Sequence, residues 1–262
     1  YLNIRWGRQL EAELAKLKAE GKPLAWKDLK QPPAPERENA ATLYQEVFRV
    51  RFEQPVGDAL FPGLSGDDLT TVDRFLKEPD GNLREQVASL LGRPKTEAAL
   101  ATLRRGSLRP RCVFPVHWED GFAALLPHYA RFRQAAKLLA ARALVSAEGG
   151  RLEDALRDCQ TALRMSRHAA ADRVLISVLG GNAMQSITFD ALRTILDQTA
   201  VPPDAAGELD SCLRQIDLET PFAAAVDRER CAVNGLFSMV AGRSGHLETI
   251  LGLAGDTGAS TV

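Results

Sequence analysis

Apolar residues return at every third or fourth position along nearly the whole of this 262-residue chain, and only the stretch from Ser107 to Gly121 breaks the rhythm. That spacing puts apolar side chains on one face of an α-helix, whereas strands would need alternation at every second position. Leu69, Val72 and Leu76 follow the helical period, as do Leu209, Leu213 and Ile216, and Phe222, Val226 and Val233. The fold expected is therefore all-α, with one irregular extended segment near 107–121. A hydrophobic content of 45% is enough to fill a sizeable core.

Helix punctuation divides the chain. Residues 2–20 read as an amphipathic helix with Leu2, Trp6, Leu10, Leu14 and Leu17 on its apolar side, stopped by Gly21 and Pro23. The prolines 32, 33 and 35 mark an extended linker, Asn39 is the expected N-cap of a helix carrying Tyr44, Val47, Phe48 and Phe52, and Pro55 is its expected stop. Ser65 and Asp68 form a capping box, followed by two short helices that stop at Gly92 and Gly106. Long helices are predicted over 127–148, 151–167 and 172–198, the first two closed into an antiparallel hairpin by Gly149-Gly150. Gly180 and Gly181 weaken the third by about 1 kcal/mol each relative to alanine, unless they admit a neighbouring helix. Pro203 opens the next helix and Thr220-Pro221 the last. The predicted organisation is an N-terminal helix over 1–30, a short-helix half over 39–106, the extended loop over 107–121, a long-helix bundle over 122–245 and a frayed tail over 246–262.

Several function classes drop out on composition and motif. Basic and acidic residues, 33 against 34, leave a net charge of -1, so no global field favours nucleic acid or an acidic membrane, and any such partner must be recognised locally. The longest apolar stretch, Leu138 to Ala147, is broken by Arg142 and falls short of the roughly 20 residues of a membrane span. The four cysteines, at 112, 159, 212 and 231, carry no C-x-x-C spacing and read as small buried hydrophobes, with one disulfide left open if the domain is exported. No nucleophile elbow, phosphate-binding glycine loop or dinucleotide fingerprint occurs. Neither a catalytic residue nor a cofactor nor a metal is predicted. Because Tyr1 opens directly on a helical stripe with no N-cap, the chain is expected to begin mid-protein.

Two resemblances add to this reading. Gly149-Gly-Arg-Leu-Glu-Asp-Ala155-Leu, with Ala143 before it and Cys159 and Ala162 after it, resembles the helix-turn-helix of a tetratricopeptide repeat. Arg142 and Ser146 stand in place of a leucine and a tyrosine of that motif, Arg167 occupies its proline position, and one repeat on from Ala155 lies Phe189. The resemblance implies one repeat-like hairpin rather than an array, in hairpins stacked as a superhelical bundle. More broadly, Asn39-Ala-Ala with Leu43-Tyr44, then Phe114-Pro-Val-His-Trp-Glu-Asp-Gly121-Phe and Leu126-Pro-His, resembles a set of uncharacterised helical proteins of planctomycete-type bacteria. That resemblance implies an extracytoplasmic domain tethered by a membrane helix outside this chain, and it carries over no catalytic residues.

Two places could bind. His117, Glu119 and Asp120, with His128 further on, are the one cluster where metal ligands or a general acid and base could converge, although a loop of this kind more often covers a core edge. Arg93, Lys95, Arg104, Arg105, Arg109 and Arg111, with only Glu97 among them, form a local positive patch that anionic lipid headgroups or an acidic partner could use. Arg104 and Arg105 also suit a helix C-terminus, and no interleaved aromatics accompany the patch, which argues against nucleic acid. The leading expectation is a non-enzymatic helical scaffold that binds a protein or peptide partner in a groove between hairpins. The alternative is a small-ligand or metal-binding enzyme or receptor centred on residues 117–128.

Overall fold

The computed structural model describes residues 2–53, 61–217 and 219–241, with the side chains at 2–8, 10, 122, 232 and 234–241 left out of the description. Their order is α1 (Leu2–Ala19), α2 (Ala40–Phe48), α3 (Gly66–Lys77), α4 (Gly81–Leu91), α5 (Pro94–Ser107), α6 (Pro127–Glu148), α7 (Leu152–Ala169), α8 (Leu175–Gln198), α9 (Pro203–Arg214) and α10 (Glu219–Ala241). The protein is all-α, and among the described residues the one β-type pairing is an isolated bridge between Asn39 and Arg111. No described helix is long and apolar enough to cross a membrane.

Local chemistry sets the helix ends. Asn39 caps α2 by accepting from the Ala41 amide at 3.1 Å. Ser65 and Asp68 exchange hydrogen bonds at the start of α3, the Asp68 amide donating to Ser65 Oγ at 3.2 Å and the Ser65 amide to Asp68 Oδ2 at 2.8 Å. Prolines occupy the first turn of α5, α6 and α9, where a missing amide hydrogen costs nothing. Helix α2 ends at Phe48 with Arg49 left-handed (φ 50°), ahead of Pro55, which lies outside the described residues along with the tail at 246–262.

The extended segment is shorter than the sequence suggests. Ser107 stays in α5 because its hydroxyl donates to Arg104 O at 2.8 Å and the Arg109 amide to Gly106 O at 3.0 Å. Trp118–Ala123 folds into 3-10 turns and 108–110 makes a turn at the end of α5, so only 111–117 runs extended.

The chain divides into two compact units. The smaller comprises 1–30, 118–123 and 227–262. Within it the turns Trp26–Leu29 and Trp118–Ala123 pack together, and Arg228 Nη1 donates to Leu29 O at 3.3 Å.

The larger unit, 31–117 with 124–226, holds the main core. Helices α6, α7 and α8 each pack against both of the others, and α2 to α5 lean on that trio. Tyr44, Phe132, Leu138, Leu139, Leu163, Met165, Met184 and Ile195 are fully buried there. Gly181 lets α8 approach α7: a Cβ at that position would sit 2.8 Å from Ser166 O, while Gly180 faces open space. Gly106 similarly lets the end of α5 rest on the Tyr44 ring, 2.6 Å from where its Cβ would be. Cys112, Cys159, Cys212 and Cys231 are all buried thiols.

Candidate functional site: an arginine-lined cleft

The segment 108–117, a turn followed by an extended stretch from Arg111, is stitched to the linker before α2. Asn39, besides capping α2, accepts from the Val113 amide at 2.8 Å and donates to Val113 O at 2.9 Å. The Ala40 amide donates to Arg111 O at 2.7 Å and the Arg111 amide to Glu38 O at 3.2 Å. These bonds fix the backbone from which Arg109 and Arg111 project. Arg109 donates to Glu36 O at 2.9 Å and Asn39 O at 2.7 Å; Arg111 donates to Pro32 O at 2.8 Å and Pro33 O at 3.2 Å. All four acceptors are neutral carbonyls, and among the described residues neither guanidinium forms an ion pair.

Opposite them stands α7. Arg164, Arg167 and His168 occupy positions i, i+3 and i+4, one face of the helix, and Arg173 follows where the backbone turns left-handed (φ 51°). Asn182 and Gln185 of α8 complete a cleft of about 600 Å³. Its described lining carries five arginines, at 109, 111, 164, 167 and 173, against a single carboxylate, Asp217. That carboxylate is already engaged: the Glu219 and Thr220 amides at the start of α10 donate to it at 3.1 and 3.0 Å. Its contacts with Thr220, then with Glu219 and the Arg173 charge, hold it below the usual aspartate range. Among the described residues Arg167 donates to the neutral Gln215 Oε1, at 2.6 Å.

His168 forms part of the cleft wall without adding charge. Its Nε2 lies 3.0 Å from Arg109 O and its Nδ1 2.8 Å from Tyr44 Oη. Burial, opposed by the Arg109 carbonyl, pushes its pKa down to about 4, so the ring is neutral at physiological pH. What the arrangement offers is a set of planar, permanently charged donors around one open space. Carboxylate and phosphate oxygens are the groups such donors bind.

The residues singled out in the sequence are distributed differently. Arg109 and Arg111 line this cleft, whereas Arg105 lines a neighbouring depression. His117 is half-buried, with Nε2 3.8 Å from Glu53 Oε1. His128 is 1% exposed inside an aromatic cage, its ring stacked on Phe114 at 4.4 Å and its Nε2 3.6 Å from Asp172 Oδ2. Glu119 and Asp120 are exposed on the 3-10 turn of the smaller unit, while both histidines belong to the larger. Among the described residues no three His, Cys, Asp or Glu side chains gather in a way that could hold a metal ion. The sequence reading missed Arg164, Arg167 and Arg173; the one signal available was the i, i+3 pair of arginines at 164 and 167 on an amphipathic helix.

No family model, curated protein or solved structure matches this chain.

Proposed function

We propose that this chain is a non-enzymatic helical scaffold that binds an acidic segment of a partner protein in the arginine-lined cleft. The observation that carries the reading is the imbalance of charge in that cleft, five arginines against one carboxylate already committed to the α10 amides. Such a concentration of like charge is costly unless a ligand offsets it, and Arg109, Arg111 and Arg167 are held by carbonyl and amide oxygens rather than by neighbouring acids. A peptide suits it better than nucleic acid, because the described lining has no exposed aromatic ring on which a base could stack.

The hairpin of α6 and α7, closed at Gly149-Gly150, supports reading the bundle as stacked hairpins of tetratricopeptide type, with the cleft on the outer side of α7. The motif resemblance around 114–128 adds that the domain belongs to a larger bacterial protein tethered at a membrane outside the cytoplasm. Fractionation of native cells with an antibody to this domain tests the tether: recovery in the soluble cytoplasmic fraction contradicts it.

The binding reading is tested by thermal unfolding with and without a glutamate-rich heptapeptide. A ligand present at a hundred times its Kd stabilises the folded state by about 2.7 kcal/mol, which raises the melting temperature by several degrees. A lysine-rich heptapeptide is expected to leave it unchanged. Equal responses to both peptides, or none to either, overturn the proposal.

A further inference from the structure

We propose that the acidic segment runs on past the cleft, across Leu108, into a second basic depression, and that the sequence recognised therefore carries an apolar residue between two acidic runs. This rests on the cleft reading above and extends it.

The second depression, about 640 Å³, lies between α4, α5, α6 and α7 within the same unit. Its lining holds arginines 104, 105, 142, 151 and 157, and three carboxylates. Two of those carboxylates are spoken for. Asp158 takes a two-point hydrogen bond from Arg142, Nε to Oδ2 at 2.7 Å and Nη2 to Oδ1 at 2.5 Å. Asp154 pairs with Arg157 at 2.7 Å and lies 4.0 Å from Arg151. Among the described residues Arg104 and Arg105, at the exposed end of α5, form no ion pair, and Arg105 donates to the Thr102 hydroxyl at 3.1 Å. The Arg104 guanidinium is perturbed downward, first by desolvation, with the charges of Arg157 and Arg142 opposed by those of Asp158 and Asp154.

Leu108 is the hinge between the two spaces. It lines both of them, and at 65% exposure it is the most open of the large apolar side chains among the described residues. Its position as the C-cap of α5 gives no reason for a leucine, since α5 could end as well on a polar residue. A partner's apolar side chain laid on Leu108 would remove apolar area from water on both sides, with acidic residues flanking it in the two basic spaces. An extended segment advances about 3.3 Å per residue, so seven residues cover about 23 Å and can serve both.

The test uses two fluorescein-labelled heptapeptides of equal charge, three glutamates on either side of a central leucine or a central serine. Fluorescence anisotropy at about 50 mM salt is expected to show the leucine peptide binding about fivefold more tightly to the wild-type protein. That advantage is expected to vanish in Leu108→Ser, and Arg104→Gln/Arg105→Gln to weaken both peptides severalfold; all three substituted side chains are exposed, and unfolding curves verify that the variants remain folded. Equal affinities for the two peptides, or a leucine advantage that survives Leu108→Ser, overturn the extension and leave the cleft reading standing. Binding of neither peptide overturns both. A single-stranded hexanucleotide binding more tightly than either peptide also overturns both.

Discussion

Tyr44 and His168, 124 positions apart, share a hydrogen bond of 2.8 Å between Oη and Nδ1. Its direction follows from the other side of the ring. Nε2 faces the Arg109 carbonyl, which can only accept, so Nε2 carries the proton and Nδ1 accepts from the tyrosine hydroxyl. One neutral ring thus ties α2, α7 and the backbone of a cleft arginine together.

That tie is pH-dependent. With the folded pKa pushed to about 4 from an ordinary 6.5, the folded protein binds fewer protons than the unfolded chain between those values. The stability linked to His168 is therefore complete above about pH 6.5, falls as pH drops through the window, and is lost by about pH 4. The shift corresponds to about 3 kcal/mol. Urea unfolding at pH 7, 5.5 and 4.5 is expected to show a steeper loss for wild type than for His168→Gln. Parallel losses in the two proteins contradict the assignment.

Removing the tyrosine hydroxyl leaves Nδ1 facing a fully buried apolar ring. Tyr44→Phe is expected to cost about 1 to 3 kcal/mol, seen as a lower urea midpoint at unchanged slope. A midpoint within error of wild type would mean that water takes the hydroxyl's place.

The two adjacent glycines of α8 separate cleanly. Gly181→Ala forces a Cβ to within 2.8 Å of the Ser166 carbonyl and is expected to cost about 1 to 3 kcal/mol, with Gly181→Val costing more. Gly180→Ala meets nothing and is expected to stabilise by about 0.5 to 1 kcal/mol through helix propensity alone. Calorimetric melting of the pair checks the contrast, and a change of the same sign in both contradicts the close packing of α7 and α8.

Asp158 is 4% exposed and holds Arg142 at two points. Asp158→Asn leaves that guanidinium largely desolvated without its counter-charge, and the expected loss is about 3 kcal/mol. A loss below about 1 kcal/mol in chemical unfolding would show that Arg142 simply swings to Asp154 or to solvent.

Where a feature depended on neighbours in sequence, it could be read there. The Asn39 cap, the Ser65 and Asp68 capping box and the proline starts of α6 and α9 each concern contacts over a few residues, and the structure has all of them. The hairpin turn at Gly149-Gly150 belongs with them. Features that depend on distant partners were not legible. Arg109 and Arg111 stood out as a patch, but nothing in the sequence joins them to Arg164, Arg167 and Arg173, which the packing of α7 brings to the same cleft. His128 has the look of a ligand by residue type, yet Phe52, Phe114, Tyr129 and Phe132, drawn from three separate stretches of chain, enclose it. Of Gly180 and Gly181, only the fold decides which one meets α7.

The central claim is that the cleft arginines bind an acidic segment, and the most direct measurement is the affinity of a fluorescein-labelled heptaglutamate for wild-type protein and for Arg164→Gln/Arg167→Gln. Arg167 is exposed and Arg164 half-buried on α7, and an unchanged unfolding curve is the control for the fold. The account predicts at least a tenfold weaker Kd in the variant, about 1.4 kcal/mol, and wild-type affinity that falls steeply between about 50 and 300 mM salt. Equal affinity in the two proteins, or wild-type binding indifferent to salt, would contradict it.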